Sequence, residues 1–218
     1  MGVGMGGPVS ISSKKDIRNA KPDTEEIAIR KDLPIQDYPL LAKFTRLGTI
    51  GIWARDGQNA TDEKLNALAA LSFTNLVDVN LLNGRLVTDE GIRSLSQLPA
   101  LKMLGLEGTS ITDAGCEVMA SKMRLTGVNV ANCPKIGLKG IKILGSSTSV
   151  TNLSFSADNL TQKDVLDLIG SFKNIRWCQV VDREGKIDGK AVEAKGAERN
   201  INAFVQPTGA LQDMGLDR

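Results

Sequence analysis

One pattern recurs six times in this chain, and it restricts the choice of fold more than any other feature. Apolar residues stand at i, i+3 and i+5 in Leu47, Ile50, Ile52, in Leu76, Val79, Leu81, and in Leu101, Leu104, Leu106. The series continues with Leu125, Val128, Val130 and Val150, Leu153, Phe155, and closes at Ile175, Cys178, Val180. The third member advances by 29, 25, 24, 25 and 25 residues. The alternation at the end of each set predicts a short strand. A unit this short cannot bury its apolar residues alone, so neighbours must stack and share one core.

A turn and a helix start follow each of the first five strand patterns: ATDEKLNAL (60–68), VTDEGIRSL (87–95), ITDAGCEVM (111–119), IGLKGIKIL (136–144) and LTQKDVLDL (160–168). Apolar residues occupy relative positions 1, 6 and 9, the last two spaced as on one helical face. Thr61, Thr88, Thr112 and Thr161 stand where an N-cap belongs, with a hydroxyl able to accept from an orphaned backbone N–H. Asp62, Glu63, Asp89, Glu90 and Asp113 follow in the first turn, where the helix dipole favours negative charge. Caps and dipoles thus account for the acidic pairs without catalysis. Gly115 and Gly140 share one repeat position, which suggests close helix–strand packing.

The stretches LTGVNVANCPKIGLKGIKIL (125–144) and LKMLGLEGTSITDAGCEVM (101–119) resemble leucine-rich repeats of the cysteine-containing type, similar to those in F-box proteins. Cys133 occupies the cysteine position, and Thr109 replaces it one repeat earlier. The resemblance covers about residues 45–181. It implies an α/β fold, a right-handed solenoid with a parallel β-sheet on the concave face and helices on the convex face. It implies binding in general terms and names no partner.

The ends depart from the pattern. Residues 1–22 are read as a flexible tail: Gly2, Gly4 and Gly7 spell GxGxxG, but no strand precedes them and Pro8 follows. Residues 23–182 form the repeat domain, with an N-terminal cap over about 23–44, where Ile27 and Ile29 alternate and Leu40, Leu41 and Phe44 suggest a helical face. Residues 183–218 are read as a degenerate C-terminal cap and tail: IDGKAV imitates ITDxGL, but Lys195 stands where an apolar residue is expected.

Composition narrows the function. Histidine is absent, which removes His-dependent triads and His-ligated metals. The three cysteines, Cys116, Cys133 and Cys178, are too few for a disulfide framework and fall at core-directed positions. They point to a reducing, cytoplasmic compartment. A net charge of +2 marks neither nucleic acid nor membrane as a partner. No catalytic residue, cofactor site or metal site is assigned.

Side chains alternate faces along a strand, so residues between the core positions point to the concave side. Candidate partner-binding residues are Trp53, Asp78, Asn80, Leu82, Met103 and Glu107, continuing with Asn129, Asn152, Trp177 and Gln179. The centre is small and polar. Trp53 and Trp177 stand near its two ends, either as exposed anchors or packed under the caps. The expected function is a non-enzymatic, monomeric protein-interaction scaffold. The alternative is the substrate-recognition part of a ubiquitin-ligase assembly, or a bacterial mimic of one.

Overall fold

The computed structural model describes residues 7–53 and 59–207. Among these residues, nine parallel strands form one open sheet in sequence order: β1 (Val9–Ile11), β2 (Glu26–Ile29), β3 (Thr49–Trp53), β4 (Asp78–Leu82), β5 (Met103–Gly105), β6 (Gly127–Val130), β7 (Asn152–Ser156), β8 (Trp177–Asp182) and β9 (Asn202–Pro207). The connections carry α1 (Lys14–Asn19), a 3-10 helix (Ile35–Lys43), then α2 (Asp62–Ala70), α3 (Asp89–Leu95), α4 (Asp113–Lys122), α5 (Leu138–Gly145), α6 (Gln162–Ser171) and α7 (Gly189–Glu198). Each strand passes through a helical segment to its parallel neighbour, the connection that proteins make right-handed. The chain is a solenoid with the sheet on its concave side and the helices on its convex side.

All six strand triplets are buried, from Leu47, Ile50 and Ile52 to Ile175, Cys178 and Val180. So are the helix-start positions, for example Ile111, Cys116 and Met119 in one repeat and Leu160, Val165 and Leu168 in another. They join a single apolar cluster that runs through every repeat. The four threonines act as N-caps; Thr61 Oγ1, for instance, accepts from Lys64 N at 3.3 Å.

The first-turn aspartates do more than face their own helix dipole. Asp62 accepts from Thr88 N (2.8 Å), Thr88 Oγ1 (2.6 Å) and Gly91 N (3.0 Å) in the next repeat. Asp89 accepts from Thr112 N (2.8 Å) and Thr112 Oγ1 (2.7 Å), and Asp113 from Gly137 N (2.9 Å) and Gly140 N (3.0 Å). Each carboxylate thereby satisfies orphan donors at the N-terminus of the following helix. Gly91, Gly115 and Gly140 are required by this ladder and not by helix–strand packing. A Cβ on Gly115 would lie 2.5 Å from Asp89 Oδ1, and one on Gly140 would collide with Asp113 Oδ1. Leu138 takes the aspartate's place in α5 and interrupts the ladder; α6 compensates with a capping box in which Asp164 Oδ2 accepts from Thr161 N and Oγ1. Gln162 Oε1 then resumes it by accepting from Asp188 N at 2.7 Å.

Both ends are more ordered than the sequence suggests. Residues 9–19, expected within a tail, form β1 and α1. β1 pairs with β2, and Ile11 and Ile17 are fully buried. Lys43 Nζ donates to the carbonyls of Ile17 (2.9 Å), Arg18 (2.9 Å) and Ala20 (2.7 Å), satisfying the end of α1. The short apolar pattern Val9, Ile11, Ile17 gives too weak a periodic signal to announce this. At the other end, β8, α7 and β9 make a complete further unit with Val192, Ile201 and Ala203 buried. Lys195 fits it by laying its stem over Gly170 while Nζ pairs with Glu198. The start of the expected tail, including Gly2 and Gly4, and the segment beyond residue 207 lie outside the described residues.

Candidate partner-binding surface

Strand register aligns the concave side chains in rows that cross the sheet. One row runs Glu26, Thr49, Asp78, Met103, Gly127, Asn152, Trp177, Asn202. The next runs Ala28, Gly51, Asn80, Gly105, Asn129, Ser154, Gln179, Phe204. A third contains Trp53 beside Leu82 and, further on, Ser156, Val181 and Gln206.

Over β4–β8 the first two rows enclose an open groove of about 580 Å³. It brings together Asp78, Asn80, Met103, Asn129, Asn152, Trp177 and Gln179, seven of the ten sequence-derived candidates, with Ser154 and the two glycines between them. Trp53, Leu82 and Glu107 stand outside it. Among the described residues, no lysine or arginine lines it.

The apolar groups are held in place by their neighbours. Met103 is 39% exposed, and its thioether lies across Gly127, where a Cβ would displace it. Thr126 Oγ1 lies 3.7 Å from its sulfur. Trp177 is half-buried and meets Phe204 of β9 edge-to-face at 5.2 Å. Trp53 is also half-buried: its indole lies over Gly51, and the Arg30 guanidinium stacks on the ring at 4.2 Å. Each tryptophan is therefore packed against one neighbour, Phe204 of β9 or Arg30 just past β2, and stays half-buried. Phe204, on β9, and Arg30, just past β2, were not among the candidate surface residues because both fell in the segments read as caps.

The polar groups divide into fixed and free. Asn129 Oδ1 accepts from Ala131 N at 2.9 Å, which settles the orientation of its amide. Gln179 Oε1 accepts from Ser154 Oγ at 3.0 Å, and Gln179 Nε2 donates to Gln206. Glu107 Oε1 accepts from Asn132 Nδ2 at 2.7 Å, tying Glu107 to the next turn. Asn80 and Asn152 are exposed, with no side-chain hydrogen bond among the described residues. Burial, and secondarily the Glu26 carboxylate, hold the Asp78 carboxyl above the usual carboxylate range.

The cysteines take no part in this surface. Cys133 Sγ donates to Leu106 O at 3.0 Å and lies 3.4 Å from Thr109 Oγ1, so the Cys/Thr position closes the turn after a strand. Burial raises all three thiols, Cys178 to about 12 from an ordinary 9.0. A thiol raised in the fold contributes its full stability below the unfolded value. As pH climbs from about 9 towards 12, the unfolded chain releases protons that the folded chain keeps, and stability falls. The expected slope is roughly 1.4 kcal/mol per pH unit for each such thiol. Urea titrations at pH 9.5 and 10.5 should therefore show a shallower loss for Cys178→Ala than for the parent. Equal slopes would show that Cys178 ionises as readily in the fold as out of it.

No protein-family model and no curated protein sequence matches the chain. Solved structures do. The leucine-rich repeat-containing protein LegL7 from Legionella pneumophila superposes with a TM-score of 0.60 at 15% identity, over 88% of this chain and 72% of that one. TLR13, solved in complex with ssRNA13, gives a TM-score of 0.53 at 12% identity, over 88% of this chain and 34% of that one. At these identities the likeness concerns the fold alone, and the fold is that of a leucine-rich-repeat solenoid. No helix among the described residues is long and apolar enough to cross a membrane.

Proposed function

We propose that this chain is a non-enzymatic protein-binding scaffold that takes its partner on the concave face. The observation that carries this reading is the groove over β4–β8, with exposed Met103 and half-buried Trp177 rising from a floor of small and amide side chains. Apolar and aromatic anchors beside adaptable polar groups are the composition of protein-binding patches. TLR13 was solved with single-stranded RNA. Here a groove with no lysine or arginine among its described residues, bordered by Glu26 and Asp78, favours a protein over a nucleic acid, whose phosphates call for cations. The reading includes a monomer in a reducing, cytoplasmic setting, supported by three free buried cysteines. Substrate recognition within a ubiquitin-ligase assembly would use the same face, and no feature of the groove favours it specifically.

The test is a selection of binders from a random displayed-peptide library on the immobilised protein. Met103→Ala and Trp177→Ala should each weaken the selected binders at least tenfold, about 1.4 kcal/mol, with the thermal transition within a few degrees of the parent. Binders that ignore both substitutions would place recognition elsewhere and overturn the proposal.

A further inference from the structure

The second concave row alternates amides with small residues: Asn80 on β4, Gly105 on β5, Asn129 on β6, Ser154 on β7 and Gln179 on β8. Amides thus recur at every second strand. Strands lie about 4.8 Å apart, so the amide repeat is roughly 9.6 Å. An extended β-strand laid across the sheet repeats at about 6.8 Å, two residues of roughly 3.4 Å each, and drifts out of step. A polyproline II helix advances about 3.1 Å per residue with three residues per turn, a repeat of roughly 9.3 Å.

The polarity of the row makes the same selection. Asn129 spends its oxygen on Ala131 N, and Gln179 spends its oxygen on Ser154 Oγ. Asn129 is left with its Nδ2–H group, and Gln179 with the one Nε2–H that Gln206 does not take. Asn80 has no side-chain partner among the described residues and can donate as well. A floor of donors suits a chain rich in backbone carbonyls and poor in backbone N–H, which describes a proline-rich segment. Such a segment makes no internal hydrogen bonds and keeps its carbonyls available. Gly105 keeps the floor low: a Cβ there would lie 2.8 Å from Asn80 Oδ1. Met103 and Trp177 stand in the adjacent row and offer apolar and aromatic surface to pyrrolidine rings.

Charge fixes one end. Glu26 and Asp78 lie in the adjacent row at the β2–β4 end, and neither has an ion-pair or hydrogen-bond partner among the described residues. We infer that the groove binds a proline-rich segment in the polyproline II conformation, laid across the strands, with a basic residue at its β2–β4 end. This inference rests on the concave-face reading above and names the class of partner.

The probe is a fluorescein-labelled peptide of sequence RPPLPPLPPL, read by fluorescence polarisation on the full chain. Its affinity should fall at least tenfold when alanine replaces every proline, and several-fold when glutamate replaces arginine. Asn129→Asp is the decisive variant: it keeps an oxygen for Ala131 N and replaces the outward N–H with an acceptor. Asn129→Asp and Asn80→Asp should each weaken the peptide at least fivefold, although both add negative charge opposite a cationic ligand. Unchanged affinity in both variants, or equal binding of the alanine peptide, overturns the assignment. Library binders that need Met103 and Trp177 but lack proline and ignore Asn129→Asp would leave the concave-face reading standing and remove this one. Binders indifferent to Met103 and Trp177 remove both.

Discussion

Phe155→Ala is expected to lower the free energy of unfolding by about 3–5 kcal/mol. Phe155 is the third core position of β7 and is fully buried. Its ring meets Phe172, just past the end of α6, edge-to-face at 6.5 Å, and the Phe172 ring packs against Gly145 at the end of α5. Truncation therefore removes transfer energy, the aromatic pair and the support beneath two helices at once. Such a pair adds roughly 0.5–1.5 kcal/mol beyond the area it buries. The surrounding strands are fixed on both sides by parallel pairing, so the void has little scope to close. Urea denaturation followed by far-UV circular dichroism measures the loss. Leu138→Ala, at a position 42% exposed on the convex side, is the control and should stay within about 0.5 kcal/mol. A loss at Phe155 below about 1.5 kcal/mol would mean that the core repacks freely there, contrary to the close packing drawn above.

The second large effect is a change of sign. Gly115→Ala in the parent should destabilise by about 1–2 kcal/mol, because the new Cβ meets Asp89 Oδ1 at 2.5 Å. Asp89 can yield only by giving up Thr112 N and Thr112 Oγ1. Asp89→Ala alone should cost roughly 2–3 kcal/mol, since charge-assisted bonds are lost and the start of α4 keeps unmet donors. In the Asp89→Ala background the obstacle is gone. Gly115→Ala should then stabilise by up to about 1 kcal/mol, the ordinary helix preference for alanine over glycine. The double-mutant cycle thus predicts a coupling near 2 kcal/mol, carried between repeats. Additive effects would show that the aspartate and the glycine are independent, and the ladder would lose its role.

The core and the caps were legible in the sequence because each is a local matter. Leu101, Leu104 and Leu106 declare themselves by strand alternation, and Thr112 declares itself by standing before an apolar helical face. The candidate surface was legible in part. Alternation alone put Met103, Asn129 and Trp177 on the concave side. It could not pick out the seven that share one groove, or leave Trp53, Leu82 and Glu107 outside it. That selection depends on how far each side chain leans over its neighbour, as Met103 does over Gly127. The N-terminal unit was missed where the apolar signal was short, at Val9–Ile11, and the C-terminal one was read as a degenerate cap because a lysine stem, at Lys195, stands in an apolar position.

The sequence by itself determined the repeat, its period, the buried set and the helix starts, since these follow from periods of two and 3.6 residues along the chain. The tertiary structure decided which residue serves which. Asp62, Asp89 and Asp113 sit in the first turn of their own helices, yet their hydrogen bonds go 23 to 29 residues onward. The amide row across β4–β8 likewise exists only once the register between strands is set. Stacking one repeat on the next fixes that register, and a hydrogen bond between repeats follows from their relative placement, a quantity that no pattern within a single repeat contains.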